Sequence, residues 1–200
     1  DSNPKWALGG KAVTYTTARY GYKSHGSWGE EGDVMLMVLD AEAWDAFNRT
    51  KEEAELAEKN ADEADKTDAD KKDGKKKKKG DKKKDGDEKK ETLRFDTDNR
   101  MYRLSRLTGG SSRLGDYFLA PKGDKLYYMA RSTEGEYNLY CRDLREGNTK
   151  LLAAGKAGGI VPDAKGENIF VIGGSGMSKI NLASGASEAV EFSAPYDRHP

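Results

Sequence analysis

LAPKGDKLYYM, residues Leu119 to Met129, decides how the rest of the chain is read. A turn of Pro, Lys, Gly and Asp runs straight into a strand in which every second side chain can face a core. Glycine belongs in that turn because it tolerates positive φ without a steric penalty. The same arrangement occurs at WALGGKAVTYT (Trp6 to Thr16) and at VPDAKGENIFVI (Val161 to Ile172). Aligned on Gly10, Gly123 and Gly166, the position five residues on is Tyr15, Tyr128 and Val171, and the third copy carries one extra turn residue.

A second strand follows in each copy: DVMLMVLD (33 to 40), EYNLYCRDL (136 to 144) and GMSKINL (176 to 182). A last strand completes each unit, at YRLSRLT (102 to 108), TKLLA (149 to 153) and SEAVEF (187 to 192). Gly123 and Gly166 lie 43 residues apart, within the roughly 40–45 residue period of four-stranded propeller blades. Gly10 and Gly123 are 113 apart, so the first unit holds about 70 extra residues, placed between its third and fourth strands.

The extra residues start ordered. Asp40 can cap a short helix, AEAWDAFN, whose Trp44 and Phe47 share one face. Thr50 and Glu53 form a capping box for a second helix, KEEAELAEKNADEA, in which Leu56 is the one large apolar residue. With nothing to bury, that helix should fray toward Asp65, and disorder is expected from about Ala64 to Glu91, with order returning at TLRFDTD.

The chain carries 35 basic and 35 acidic residues, so overall charge favours no class of partner. The distribution is uneven. Lys51 to Asp70 holds 9 acidic and 3 basic residues, and Lys71 to Glu91 holds 12 basic and 6 acidic. These two opposed blocks account for the low hydropathy, and the remainder is an ordinary foldable sequence. The lysine run has no Arg and no aromatic residue to stack or read bases, so nucleic acid and membrane are not the expected partners. A solvated low-complexity insert is the expectation, with contact to an anionic surface as the rival reading.

Cys141 is the single cysteine, which excludes an intramolecular disulfide and leaves the compartment open. No apolar run approaches the roughly 20 residues needed to span a bilayer. The opening DSNPKW reads as entry into a strand and points to a segment of a longer chain.

With the repeats placed, a resemblance emerges. The turn-glycine-strand units with the RLT ending (Arg106, Leu107, Thr108) resemble the propeller repeats of TolB-type and tricorn-like proteins. SHGSWGEEGDVMLMVLDAEAWDAFNRTKEEAEL, with DTDNRMYRLSRLT and GDYFLAPKGDKLYYMA beyond the charged insert, is similar to the propeller region of bacterial tricorn-like serine peptidases. The resemblance covers all of the chain except the charged insert. It implies a non-catalytic part of such a peptidase, gating or scaffolding peptide substrate, in the periplasm. A TolB-type protein-interaction propeller independent of proteolysis is the alternative.

The expected architecture is therefore all-β: about three consecutive four-stranded blades forming an incomplete ring, with a helical and disordered insertion in the first. The first blade is expected over 1–108, its insertion helical over 41–63 and disordered over 64–91. The second is expected over 109–153, the third over 154–193, and 194–200 leads to a next domain. Expected partners are the remaining blades and peptidase domains of a parent chain and a peptide or protein substrate, with self-association through open blade edges.

Candidate chemistry is sparse. His25 and His199 are the only histidines, and neither lies near a G-x-S-x-G serine. Neither H-E-x-x-H nor C-x-x-C occurs, so no catalytic residue, metal site or cofactor is expected. GGSGMSK (173 to 179) lacks phosphate-loop spacing and leads into a strand, which makes it a hairpin turn. Asp143 and Asp163 sit at matching turn positions and are read as turn residues, and Cys141 as a small strand residue. The binding candidates are Arg19, Tyr20, Tyr22, His25 and Trp28 in the loop ARYGYKSHGSW, because Tyr, Trp and Arg anchor interfaces. The rival reading has these aromatics packing beneath their own loop.

Overall fold

A computed structural model of the chain describes residues 1–23, 31–61, 93–174 and 176–191. Among these residues twelve strands form three four-stranded antiparallel sheets, each a meander of consecutive strands. The first holds β1 (Ser2–Ala7), β2 (Ala12–Thr17), β3 (Asp33–Val38) and β4 (Leu104–Arg106). The second holds β5 (Leu114–Leu119), β6 (Lys125–Arg131), β7 (Tyr137–Asp143) and β8 (Thr149–Ala153). The third holds β9 (Gly159–Pro162), β10 (Asn168–Gly173), β11 (Gly176–Asn181) and β12 (Ser187–Val190). These are three consecutive propeller blades in an open ring, and the insertion lies between β3 and β4.

The repeated turn glycine does what its position demands. Gly10, Gly123 and Gly166 have φ of 88°, 72° and 70°, the left-handed region that side chains with a Cβ rarely adopt. In all three sheets the second strand begins two residues later.

The core lies between the sheets, not within any one of them. Ala12, Val34, Leu36 and Val38 of the first sheet pack with Tyr117, Leu119, Leu126, Tyr128 and Ala130 of the second. Met129 and Leu139 of the second sheet pack with Ile160, Ile169, Val171 and Ile180 of the third. Strand β6 therefore sends alternate residues to opposite neighbours: Leu126, Tyr128 and Ala130 one way, Met129 the other. The middle sheet is covered on both faces by its neighbours, and each terminal sheet has one face that no other described sheet covers.

Along the inner strands a carboxylate ties the three sheets together. Asp116 on β5 accepts from Lys5 Nζ of β1 at 2.5 Å and from the Ile160 N–H of β9 at 2.7 Å. Lys5 Nζ also donates to the Tyr117 carbonyl at 2.7 Å, and the Tyr117 hydroxyl donates to the Asn3 carbonyl at 2.6 Å. Burial works to raise the Asp116 pKa, but the hydrogen bonds from Ile160 N–H, Lys5 and Tyr117 N–H outweigh it and hold the carboxyl below its ordinary range.

The insertion leaves and re-enters the first sheet at one place. Helix α1 (Ala41–Phe47) starts on Asp40, whose carboxylate accepts from the Ala43 N–H at 2.7 Å. Trp44 and Phe47 stack at 6.1 Å and pack against the first core cluster. A second helix, α2, spans 51–61, and Thr50 and Glu53 close the capping box reciprocally: Thr50 N–H to Glu53 Oε2 at 2.8 Å, Glu53 N–H to Thr50 Oγ1 at 3.3 Å. On the return, Arg103 is buried and donates to the Val38 carbonyl at 3.0 Å and to Asp96 Oδ2 at 2.9 Å. Asp96 N–H in turn reaches the Leu39 carbonyl at 2.7 Å. Both ends are thus pinned at the end of β3, and loop closure grows only slowly more costly as the intervening segment lengthens. The disorder expected for 64–91 falls outside the described residues.

Candidate functional site

The loop after β2 exists because the first sheet must turn back from β2 to β3. Of its five candidate residues, Arg19, Tyr20 and Tyr22 are described, and His25 and Trp28 lie outside the described residues. Arg19 donates to Asp1 Oδ2 at 3.0 Å. Tyr20 is 60% exposed, with the Arg106 guanidinium 5.7 Å from its ring centroid. Tyr22 is 66% exposed and its N–H donates to Glu31 Oε2 at 3.1 Å. Both tyrosines are exposed. Gly21 between them permits the path, since a Cβ there would lie 2.3 Å from the Glu31 carbonyl oxygen.

Arg19 borders a cleft of about 430 Å³ on the bare face of the first sheet. Val13, Tyr15, Met37, Met101 and Leu104 form its apolar lining, with Pro4 on the β1 side. Register explains the row: Trp6 pairs with Val13, Val13 with Met37, and Met37 with Leu104, so all four project from one face. Trp6 is 68% exposed and stacks on Phe95 at 6.3 Å, extending the apolar surface. The opposite end of the stack presents Val161 and Ile172, 48% and 46% exposed. Sequence reasoning selected the loop and passed over Val13, Tyr15 and Met37. Their alternation along β2 and β3 was visible, but which of the two apolar faces would be covered was not.

Beside this cleft the RLT ending finds its physical role. Asp33 is fully buried, accepting Arg106 Nε at 2.9 Å, the Thr108 hydroxyl at 2.7 Å and the Ser111 hydroxyl at 2.8 Å. Leu107 between them is buried in the core. This clasp fastens the last strand of the first sheet, and its charge is spent on structure.

The other candidates are turn or strand residues. Asp143 accepts the N–H groups of Glu146 and Arg145, both at 2.9 Å, which holds its carboxyl below its ordinary range. Asp163 does the same for Asn168 Nδ2 and the Glu167 N–H. Burial pushes the half-buried Cys141 thiol up, away from thiolate reactivity. No group of three or more His, Cys, Asp or Glu residues able to hold a metal ion occurs among the described residues. No described helix is long and apolar enough to cross a membrane.

No family model matches the sequence, and no curated protein matches it. Solved structures do. TolB from Acinetobacter baumannii is 12% identical, with 95% of this chain and 32% of that chain covered and a TM-score of 0.48. The tricorn protease is 11% identical, with 94% of this chain and 17% of that chain covered and a TM-score of 0.51. The chain therefore spans about a third of one and about a sixth of the other. At that identity the likeness to the tricorn protease is one of fold, and it agrees with the open propeller built from the sheets.

Proposed function

We propose that the chain is a non-catalytic propeller segment of a tricorn-like serine peptidase, one that scaffolds the ring and admits peptide substrate. The observation that carries this reading is the pair of bare apolar faces at the two ends of the stack. Three blades with such ends form a section of a ring, and further blades of a longer chain are the natural cover. Peptidase domains of the same parent are the second expected partner, and the periplasm the expected compartment.

Substrate contact is assigned to the loop after β2, where Arg19, Tyr20 and Tyr22 stand exposed beside the face that a further blade would cover. An extended peptide can lay its backbone and apolar side chains against the exposed tyrosines. Two measurements on the 200-residue chain test this. Internally quenched peptides should remain uncut, and cleavage would refute the non-catalytic assignment. An unstructured, apolar-rich fluorescent peptide should bind, and Tyr20→Ser with Tyr22→Ser should weaken it by about tenfold or more. Unchanged binding in that variant would remove the loop from the account.

A further inference from the structure

A second cavity lies where the first and second sheets meet the insertion, away from the apolar cleft. It holds about 340 Å³ and is lined by Phe47, Asn48, Arg49 and Thr50 between the helices, by Ser105, Arg106 and Leu107 of the first sheet, and by Gly123, Arg142, Leu144 and Arg145 of the second. Four of these residues are arginines, and among the described residues none that lines the cavity is acidic. Arg106 is neutralised by Asp33. Arg142 and Arg145 are different. Arg142 NH1 donates to the Gly147 carbonyl at 2.6 Å and to the Thr149 hydroxyl at 3.1 Å, and Arg145 NH1 donates to the Arg49 carbonyl. Among the described residues neither guanidinium is paired with a carboxylate. Of the neighbouring acids, Asp143 accepts backbone N–H groups, Glu146 pairs with Lys51 and Glu58 with Lys122, while Glu55 and Asp124 line the adjoining cleft that Arg145 also borders.

We propose that this cavity binds a phosphomonoester. The carbonyl tethers fix each guanidinium by one nitrogen and leave the rest of its donor fork available, so the cations are held in place before a ligand arrives. A carboxylate has two oxygens in one plane and is satisfied by a single guanidinium. Two guanidiniums from one strand end, with Ser105 and Thr50 also lining the cavity, suit the three terminal oxygens of a phosphate. The cavity exceeds a bare phosphate, and Phe47, Leu107 and Leu144 give the organic group an apolar wall.

The test uses the intact chain and three probes: inorganic phosphate, phenyl phosphate and phenylacetate. Nitrogen-15 spectra should show the Arg142 and Arg145 Nε signals shifting with phenyl phosphate, which should saturate at lower concentration than inorganic phosphate. Arg142→Gln with Arg145→Gln should weaken phenyl phosphate by at least about tenfold while circular dichroism stays unchanged. The native-chain shifts stand without the variant should the variant misfold. No shift with phenyl phosphate at millimolar concentration, or an equal response to phenylacetate, overturns the proposal.

Discussion

The middle sheet and the two terminal sheets share a topology but sit in different surroundings. Strand β6 runs Leu126, Tyr127, Tyr128, Met129, Ala130, and every one of these is buried. The equivalent stretch of the first sheet buries Ala12 and Thr14 while Val13 and Tyr15 stay partly open, and that of the third buries Ile169 and Val171 while Ile172 is exposed. A sheet covered on both faces needs an unbroken apolar strand, and one covered on a single face can alternate. The contrast shows that burial is concentrated between sheets, and that the outer faces are apolar without joining the core clusters.

Substitution should expose this contrast most strongly. Met129→Ala or Leu126→Ala, each removing a fully buried side chain between sheets, should cost about 2–5 kcal/mol in urea unfolding. Val13→Ala and Ile172→Ala on the bare faces should stay within about 0.5 kcal/mol. Equal losses at both kinds of position would erase the distinction.

Next in size is the Asp33 clasp, which belongs to the first sheet alone. Asp33→Ala leaves the buried Thr108 hydroxyl without its acceptor and should cost about 1–3 kcal/mol, read as a shift of the urea midpoint. Thr108→Val in the same background should add little, because the two groups act as one unit.

Asp116 sharpens the comparison, since it joins all three sheets. Its folded pKa lies below its unfolded one, near 3.9 for a free aspartate. The stability it provides is therefore complete above about pH 4 and is lost as pH falls through the folded value. Melting temperature should drop with acid below that point, and Asp116→Asn should flatten this part of the profile while lowering the plateau above it.

The smallest effect concerns the two insertion helices. Helix α1 is fastened by Trp44 and Phe47 packing on the core, whereas α2 reaches the second sheet through Lys51–Glu146 at 2.5 Å and Glu58–Lys122 at 2.8 Å, and Leu56 is exposed. Such exposed pairs are screened by salt. Raising salt toward 1 M should speed amide exchange in 51–61 and leave 41–47 unchanged.

Much of the fold was legible because its signals are local. Glycine at 10, 123 and 166 marks a turn that only positive φ permits, and the 43-residue spacing of the last two sets the blade length. Asp40 and the Thr50–Glu53 box announced both helices through contacts spanning three residues. The candidate site was less legible. Arg19, Tyr20 and Tyr22 were named from residue type, whereas the cleft beside them is assembled from β2, β3 and the 101–104 return, which lie far apart in sequence. Asp33 and Asp116 were missed for the same reason: each is one aspartate in a strand until its partners, 73 and 111 residues away, are brought to it.

Side-chain methyl NMR tests the central claim most directly, because it asks which sheet each face of β6 touches. Leu126 methyls should show nuclear Overhauser contacts to Leu36 or Val38, and the Met129 methyl to Ile169 or Ile180, with no cross-contact between the sets. Met129 contacts to the first sheet, or Leu126 and Met129 reporting the same neighbours, would contradict three blades stacked around one axis.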